Sequence, residues 1–370
     1  MKGFEMIGPS LADYELVDCG DFMKLERFGD RVVARPEPQA VWRKSLSDQE
    51  WARLADATFA RAGGSRSGSG SGSGSGDERG QWMMKPGVSD RWTMRYDYGG
   101  VGRVDGAGGG MHIRMRLALT GFKHVGVFPE QAANWNFIYD TVREMRRAAR
   151  SSKTQLSETQ LSGTQQQEVQ QSKTQPSEVL QSCEKFQSAG EKESDAKIKV
   201  LNLFAYTGGA TLAARSAGAE VTHVDSVKQT VAWARDCMEL SGLDGVRWIV
   251  DDALKFVGRE VRRGSLYDGI ILDPPAYGRG PDGEKWVLER ELDTMLSLCS
   301  QLLKPHGFLV LNLYSMGLSA LLARTAVRRH FAPTGADALA AFVYEQAGEL
   351  YFTDRAGKDL PLGVYYRLVR

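Results

Sequence analysis

The chain has 370 residues, 42% of them hydrophobic and 25% charged, which is the composition of a soluble globular protein with room for more than one domain. Its formal net charge of +1 excludes a global field for a polyanionic partner, so any nucleic-acid surface must be local. The cysteines are scattered, without the spacing of a disulfide framework or a metal site, and we expect a reducing compartment and no metal. The chain has neither a signal-peptide core nor an apolar run near the ~20 residues that cross a bilayer, which predicts a cytoplasmic protein without a membrane partner.

Residues 1–125 are predicted to form a small β-rich domain. Short strand-like stretches lie between positions 14 and 45, and the segments 91–98 and 111–120 alternate polar and apolar residues as two paired strands would. Residues 64–80 are mostly Gly and Ser and have little to bury, which indicates a flexible linker inside this domain.

The stretch QWMMKPGVSDRWTMRYDY, which spans 81–98, interleaves cations with aromatic residues. The cations are Lys85, Arg91 and Arg95, and the aromatic residues are Trp82, Trp92 and Tyr96. This pattern suits a surface that binds phosphates and bases. It suits equally an amphipathic strand that buries its tryptophans, because successive side chains of a strand point to opposite faces. The sequence leaves both interpretations open.

Two segments separate this region from the rest of the chain. In the second half of 126–150, apolar residues recur at helical spacing, which predicts an amphipathic helix. Residues 151–196 are rich in Ser, Gln, Thr, Lys and Glu and nearly repeat themselves, with SKTQLSE at 152–158 and SKTQPSE at 172–178. Since burial there could not offset about 1–2 kcal/mol of backbone entropy per residue, we expect a disordered low-complexity insertion.

Residues 197–370 alternate buried strands with helices. Repeated strand–helix units predict an α/β fold in which a doubly wound parallel sheet carries helices on both faces. The final stretch, GELYFTDRAGKDLPLGVYYRLVR, reads as two strands joined by a turn without a helix between them. The sheet is therefore expected to finish in an antiparallel hairpin.

Glycine and acidic residues collect at the predicted strand ends, where a doubly wound sheet binds ligands. The stretch AYTGGA (205–210) follows the first strand, and its glycines would let a ligand approach the backbone and the next helix N-terminus. Asp225 ends the second strand, Asp251 and Asp252 follow the third, and Asp273 follows the fourth. The glycines alone fit an ordinary tight turn, and the G-x-G-x-x-G fingerprint of NAD-binding proteins is missing. The ordered set is a much stronger signal for a nucleoside-type cofactor than any member alone.

Three stretches, NLFAYTGGATLAARSAGAEVTHVD, DDALKF and LDPPAYGRG, together resemble the catalytic domain of class I S-adenosylmethionine-dependent methyltransferases, a Rossmann-like fold. The resemblance is closest to the branch that modifies bases of large-subunit ribosomal RNA, the RlmI and RlmK type. KHVGVFPEQ is similar to the K-T-G-F-F-x-D-Q-R signature of that family, which implies that 126–150 includes a segment that covers S-adenosyl-L-methionine. The residues that the resemblance assigns to the cofactor are Tyr206, Thr207 and Gly208 for the methionine part, Asp225 for the ribose, Asp252 for the adenine, and Phe128 and Gln131 for the pocket wall.

Two departures from the family pattern bear on the chemistry. The arginine of the signature falls on Ala132, so one anchor for the cofactor's carboxylate is absent or supplied by another residue. Members that methylate cytosine C5 carry a Ser-Cys-Ser-Gly-Leu nucleophile motif after the fifth strand, and here Ser315 stands in the place of the cysteine. Methylation at C5 needs a thiolate that adds to the ring, and an unactivated serine is a poor substitute. A ring-carbon target is therefore not expected.

A nitrogen target suits the Asp-Pro-Pro stretch better. The Asp273 carboxylate and the Pro274 carbonyl could accept hydrogen bonds from an exocyclic amine, and Pro274 and Pro275 fix the backbone that carries these acceptors. Tyr277 could stack on the base. A strand-ending turn with a packed tyrosine remains the alternative.

The sequence therefore predicts a methyltransferase that acts on a nitrogen of a nucleic-acid base, with ribosomal RNA as its partner. One alternative is a non-catalytic RNA-binding protein that keeps the fold, for which Ala132 and the missing cysteine argue. Another is a methyltransferase for a small molecule or a protein. The sequence does not identify the modified nucleotide or the oligomeric state.

Overall fold

The computed structural model describes most of the chain, and all structural statements below concern these residues: 4–61, 79–100, 110–168, 197–314, 317–332 and 342–370. The N-terminal elements are β1 (Glu5–Ile7), β2 (Tyr14–Gly20), β3 (Met23–Phe28), β4 (Arg31–Pro36), α1 (Asp48–Leu54), β5 (Ala57–Arg61), β6 (Gly80–Met84), β7 (Arg91–Tyr98) and β8 (Met111–Ala118). None of the helices in the described ranges combines the length and the apolar character that a membrane crossing needs.

The C-terminal part opens with a 3-10 helix (Pro129–Gln131) and the long helix α2 (Ala132–Glu168). The elements that follow are β9 (Lys199–Leu203), α3 (Gly209–Ser216), β10 (Glu220–Asp225), α4 (Lys228–Leu240), β11 (Val246–Val250), α5 (Ala253–Arg262), β12 (Tyr267–Leu272), β13 (Tyr277–Arg279), β14 (Lys285–Val287), α6 (Leu288–Leu302), β15 (Leu303–Leu313), α7 (Ala320–Phe331), β16 (Tyr344–Thr353) and β17 (Asp359–Val369).

An eight-stranded sheet organises this part, in the order β1-β16-β17-β15-β12-β9-β10-β11. Strands β9, β10, β11, β12 and β15 run parallel, whereas β17 pairs antiparallel with both β15 and β16. The predicted doubly wound sheet and its terminal antiparallel hairpin are confirmed. The strand order reverses between β9 and β12, which is the switch point where such sheets bind ligands.

Helices cover both faces of this sheet, which explains why its central strands are buried over most of their length. Helices α2, α3 and α4 share a core with one face, and α5, α6 and α7 share a core with the other. All six residues of β12 are buried as a result. A strand that is covered on both sides has no solvent face, so it reads as a continuous apolar run rather than an alternation.

The N-terminal part is rich in strands, as predicted, but it is not one separate domain ending at residue 125. Strands β2 to β6 form a five-stranded sheet, whereas β1 joins the large sheet beside β16 and β7–β8 form a ribbon that packs on α3 and α4. The rings of Tyr14 and Phe352 lie 4.5 Å apart, so the small sheet shares a core with the terminal hairpin. Alternation identified the strands correctly, but it carries no information about which strand each one pairs with.

Helix α2 is longer than the sequence predicts. It continues to Glu168, so the prediction of a disordered insertion over 151–196 is wrong for residues 151–168, while 169–196 lie outside the described ranges. The first proline after Ala132 is Pro176, and Gln, Glu, Lys and Leu are good helix formers. Extending a helix that already packs on the core adds one hydrogen bond per residue without a new nucleus.

Residues 64–78 of the predicted Gly/Ser linker at 64–80 lie outside the described residues. Arg79 forms a β-bridge with Phe122, and Gly80 begins β6, where it pairs with Arg61. The predicted end of the linker is therefore two residues too late. Gly80 is suited to this crowded edge because a Cβ there would collide with the ring of Phe59.

Candidate cofactor and substrate site

A cavity lies at the carboxyl ends of β9, β12 and β15, beneath the 3-10 helix and the start of α2. This position coincides with the switch point of the sheet. The sequence-predicted residues that line the cavity are Phe128, Gln131, Tyr206, Thr207, Gly208 and Asp273. The fold therefore brings the signature segment, the loop after β9 and the end of β12 to one place.

The loop between β9 and α3 is held in an unusual backbone conformation. Phe204 and Tyr206 have φ angles of 55° and 48°, and Gly208 has φ 90°. A non-glycine residue in this region is strained by about 1 kcal/mol or more, and such strain persists only where surrounding contacts impose it. One such contact is the hydroxyl of Thr207, which donates to the Gly126 carbonyl at 2.6 Å. The loop is thus fixed against the signature segment, with the N-terminus of α3 directly behind it.

Asp225 supports this loop from the end of β10. Its Oδ2 accepts a hydrogen bond from the Tyr206 backbone N–H at 2.9 Å, and its Oδ1 accepts one from the Val227 backbone N–H at 2.9 Å. Burial raises the pKa of this carboxyl, while the two backbone hydrogen bonds oppose the shift. Each carboxylate oxygen can accept a second hydrogen bond, so Asp225 keeps acceptor capacity for a ribose diol.

Asp252 has a structural role that the sequence did not reveal. Its side chain caps α5 by accepting a hydrogen bond from the Lys255 backbone N–H at 2.8 Å. Asp251 beside it forms an ion pair with Arg259. Neither Asp225 nor Asp252 is among the residues that line the cavity, so their ribose and adenine roles stay predictions.

An amide network connects the signature segment to the end of β15. Asn134 donates to Gln131 Oε1 at 2.8 Å and to Asn312 Oδ1 at 2.6 Å, and Gln131 donates to the Tyr314 hydroxyl. Asn134 and Asn312 both line the cavity. Sequence reasoning missed both, although Asn134 stands three residues after Gln131 and so occupies the same face of the chain as it enters α2.

Position 132, where the family signature has arginine, is a fully buried alanine. The guanidinium of Arg367 on β17 instead reaches this region, where its Nε donates to Asn134 Oδ1 at 2.6 Å. Its Nη2 is buried and has no hydrogen-bond partner in the described part of the chain. Arg367 thus holds Asn134 against the cavity, a role that no local sequence pattern signals.

Two carboxyl groups, those of Asp273 and Glu130, influence each other electrostatically beside the cavity. Oδ1 of Asp273 is enclosed and accepts no hydrogen bond from any described residue. The pKa of Asp273 is raised to about 8, mainly by burial and to a lesser extent by the negative charge of Glu130. Burial likewise raises the pKa of Glu130 to about 7, although Lys24 and Arg35 act in the opposite direction. Sequence reasoning missed Glu130, even though it stands at the acidic position of the signature segment.

The cavity fits a cationic ligand with polar groups at its ends. An acceptor oxygen without a donor is energetically unfavourable when buried, so a ligand that supplies a donor or a positive charge would relieve Asp273. The rings of Phe128 and Tyr206 lie 5.5 Å apart, and those of Phe128 and Tyr314 lie 5.6 Å apart. Aromatic walls of this kind attract a sulfonium or ammonium group.

The Asp-Pro-Pro turn leads out of the cavity to the surface. Pro274 is buried and Pro275 is exposed, and the carbonyl of Pro275 accepts a hydrogen bond from the indole nitrogen of Trp286 at 2.7 Å. Tyr277 is 39% exposed on β13, so it is not a packed strand-ending tyrosine. The structure places Asp273 in the cavity and Tyr277 outside it.

The aromatic residues of β6 and β7 are engaged in packing. The indole nitrogens of Trp82 and Trp92 donate to the carbonyls of Phe122 and Phe28, at 3.1 Å and 2.9 Å. Tyr96 is buried. The structure thus favours the amphipathic-strand interpretation, with Tyr96 buried and with Trp82 and Trp92 partly buried against the core.

The thiols in the described residues lie away from the cavity. Cys237 and Cys299 are buried within α4 and α6, and burial raises the pKa of both. Ser315 and Cys183 fall outside the described residues. Within the described ranges, the cavity wall contains no cysteine.

Comparisons with known proteins assign this arrangement to a family. A family model for S-adenosylmethionine-dependent methyltransferases matches residues 185–334. The crystal structure of a SAM-dependent methyltransferase from Agrobacterium tumefaciens is similar with a TM-score of 0.71 and 31% identity, covering 99% of this chain and 93% of that one. The chain belongs to the S-adenosylmethionine-dependent methyltransferase family. Its cofactor is accordingly S-adenosylmethionine, a sulfonium compound that agrees with the cavity described above.

Curated relatives of this methyltransferase cover a shorter stretch. The ribosomal RNA large subunit methyltransferase K/L of Shewanella baltica is 36% identical over 118 residues, which is 31% of this chain and 16% of that protein. The protein of the same name from Vibrio cholerae is 34% identical over 116 residues, which is 30% of this chain and 16% of that protein. The match thus spans about one sixth of the length of these relatives.

Proposed function

We propose that this methyltransferase transfers a methyl group to an exocyclic nitrogen of a nucleic-acid base, with ribosomal RNA as its substrate. The observation that carries the proposal is the enclosed Oδ1 of Asp273, which lines the cofactor cavity and lacks a donor from the described residues. An exocyclic amine is a donor of the right kind for this oxygen.

S-adenosylmethionine, when bound, supplies an electrophilic methyl group. The residues proposed to hold it are Phe128, Gln131, Tyr206, Thr207 and Gly208 at the cavity wall, with Asp225 for the ribose and Asp252 for the adenine. Because the backbone around Tyr206 is already fixed by Asp225, the loop needs little rearrangement to receive a ligand.

Asp273 is proposed to orient the substrate nitrogen. In its ionised form Asp273, together with the carbonyl of Pro274, accepts hydrogen bonds from the amine, which directs the nitrogen lone pair toward the methyl donor. Pro274 and Pro275 fix φ on both sides of this point, so the acceptors are in place before the substrate arrives. The rate enhancement then comes chiefly from positioning for in-line transfer.

Two observations support nitrogen over a ring carbon. The cavity wall has no thiol among the described residues, and the buried Cys237 and Cys299 have raised pKa values that disfavour a thiolate. The nucleophile position of the C5 methyltransferases is occupied by Ser315. Both features argue against a mechanism that begins with thiolate addition.

The names of the curated relatives support ribosomal RNA as the substrate class. A base in a duplex cannot reach Asp273 within the stack, so the target is proposed to be unpaired or flipped out. A cytoplasmic location would bring the protein together with ribosomal RNA and is part of the same proposal.

Nucleoside mass spectrometry of ribosomal RNA tests the proposal. RNA from a strain that lacks the gene is compared with RNA from strains complemented with wild type or with Asp273→Ala. An N-methylated nucleoside should be missing in the deletion strain and return only with wild type. If no methyl mark depends on the gene, the substrate assignment fails, and if the mark returns with Asp273→Ala, the role of Asp273 fails. A loss of RNA binding without any change in methylation would favour the non-catalytic alternative.

A further inference from the structure

The short hairpin β13–β14 follows the Asp-Pro-Pro turn and has two chemically different faces. Tyr277 pairs with Val287, Gly278 with Trp286, and Arg279 with Lys285. Because side chains alternate across a strand, Trp286 points to the face opposite that of Tyr277, Arg279 and Lys285. Trp286 is 3% exposed, whereas Tyr277, Arg279 and Lys285 are exposed.

The buried face fixes the hairpin to the active site. Trp286 donates to the Pro275 carbonyl and its ring lies 4.7 Å from that of Phe204, in the strained cofactor loop. Glu284 forms an ion pair with Lys255 on α5. The hairpin is therefore held on its inner side by three neighbouring elements, and its outer face has a defined position relative to Asp273.

The outer face places two cations directly opposite each other. Arg279 and Lys285 are cross-strand partners, and such like-charged pairs are destabilising in an antiparallel sheet. Neither forms an ion pair with any acidic residue in the described ranges. The remaining acidic residue of the hairpin is Asp282, in the turn, since Glu284 is engaged by Lys255. The arrangement is thus unfavourable in isolation and favourable when an anion lies across it.

We propose that the outer face of β13–β14 binds the sugar–phosphate backbone of single-stranded RNA beside the target nucleotide. Arg279 and Lys285 contact phosphate groups, and Tyr277, on the same face and nearer to Asp273, stacks on a base. Charge complementarity selects the occupant, because a pair of unpaired cations next to an exposed aromatic ring is the pattern of single-strand binding surfaces. This inference rests on the proposed function, since it concerns the substrate of the same site.

The salt dependence of RNA affinity tests the proposal with the double variant Arg279→Gln/Lys285→Gln. Fluorescence anisotropy with a short labelled single-stranded RNA is measured over a range of salt concentrations. Loss of two phosphate contacts should lower the magnitude of the slope of log K against log salt by about 1.4, because each contact contributes about 0.7 for single strands. At physiological salt the affinity should fall at least about tenfold.

The matched control is Arg43→Gln/Arg53→Gln. Both arginines are exposed in the N-terminal part of the chain and form no ion pair with an acidic residue in the described ranges, so the variant makes the same charge change elsewhere. The control should leave the slope almost unchanged. If both double variants weaken RNA binding equally, the effect is one of general charge and the proposal is wrong.

Methyl-transfer kinetics separate this inference from the proposed function. The double variant Arg279→Gln/Lys285→Gln should raise KM for ribosomal RNA while leaving the affinity for S-adenosylmethionine, measured by calorimetry, within twofold of wild type. If wild type methylates RNA and the variant has the same KM and slope, the hairpin proposal is overturned while the proposed function stands. If wild type binds the cofactor but transfers no methyl group to RNA, the proposed function itself is overturned.

Discussion

The indole nitrogen of Trp286 donates a hydrogen bond to the carbonyl oxygen of Pro275 at 2.7 Å. The ring of the same tryptophan lies against Phe204 in the loop between β9 and α3. One side chain therefore connects the turn that carries the proposed substrate acceptors to a loop that lines the cavity. Trp286, which belongs to neither the turn nor the loop, thus fixes the position of one relative to the other.

Substitution of Trp286 by phenylalanine should weaken the connection between the Asp-Pro-Pro turn and the loop between β9 and α3. The variant keeps an aromatic ring against Phe204 but loses the N–H donor, so the carbonyl of Pro275 is no longer held. We expect the single-turnover transfer rate to fall about tenfold, with cofactor affinity changed by less than twofold. A matched Trp42→Phe variant, which removes an indole donor to the Cys19 carbonyl in the N-terminal sheet, should keep the wild-type rate. A full transfer rate in Trp286→Phe would contradict this coupling.

The carboxyl group of Asp273 should make the folded protein less stable as the pH rises. Its pKa in the folded protein, about 8, lies above the roughly 3.9 of an unfolded aspartate. The folded state therefore keeps a proton that the unfolded state releases, and the stability present below pH about 4 is lost progressively up to about 8. Asp273→Asn cannot lose this proton. In thermal unfolding, Asp273→Asn should have a higher Tm than wild type. The difference in Tm should be small near pH 4 and larger at pH 8. A pH-independent difference would refute the raised pKa.

Glu130 should shift the pH dependence of methyl transfer through its charge. A negative neighbour disfavours ionisation of Asp273, so Glu130→Gln should lower the pKa of that carboxyl. If ionised Asp273 is the form that binds the amine, the acidic limb of the kcat/KM profile should move to lower pH in this variant. Glu289→Gln, which changes an exposed carboxylate at the start of α6, should leave the profile in place. An unchanged or upward-shifted profile in Glu130→Gln would show that Glu130 does not act on Asp273.

Cofactor affinity should depend on Asp225. Alanine at this position removes the proposed acceptor for the ribose and also releases the Tyr206 backbone N–H. Calorimetry should show a loss of at least tenfold in affinity for S-adenosylmethionine. The control is Asp244→Ala, which removes an exposed carboxylate paired with Arg215. Unchanged affinity in Asp225→Ala would rule out the cofactor role of this residue.

Much of the site could be predicted because its motifs are local in sequence. A strand end, a glycine turn and a helix N-terminus are adjacent in the chain, so the loop from Tyr206 to Gly208 and the turn at Asp273 can each be located in the sequence, and their order then points to a cofactor. The regular alternation of strands and helices then places these pieces at the same edge of the sheet. The terminal antiparallel hairpin follows from the same pattern, because no helix separates its two strands.

The missed parts depend on contacts between distant segments. Asn134 meets Asn312 across 178 residues and Arg367 across 233, and no periodicity links these positions. Strand β1 joins the large sheet beside β16 although it lies at the other end of the chain. The helical continuation to Glu168 was missed for another reason, because composition argued against burial whereas an anchored helix needs little burial to extend.

The most direct test of the central claim follows an isotopically labelled methyl group from S-adenosylmethionine into deproteinised ribosomal RNA in the presence of the purified protein. After digestion to nucleosides, mass spectrometry should place the label on an exocyclic nitrogen of one base. Asp273→Ala should reduce the transfer rate by about 10²–10³-fold, and Asp273→Asn, which keeps an acceptor oxygen, should lose less. A label on a ring carbon or a ribose, or a full rate in Asp273→Ala, would contradict the account.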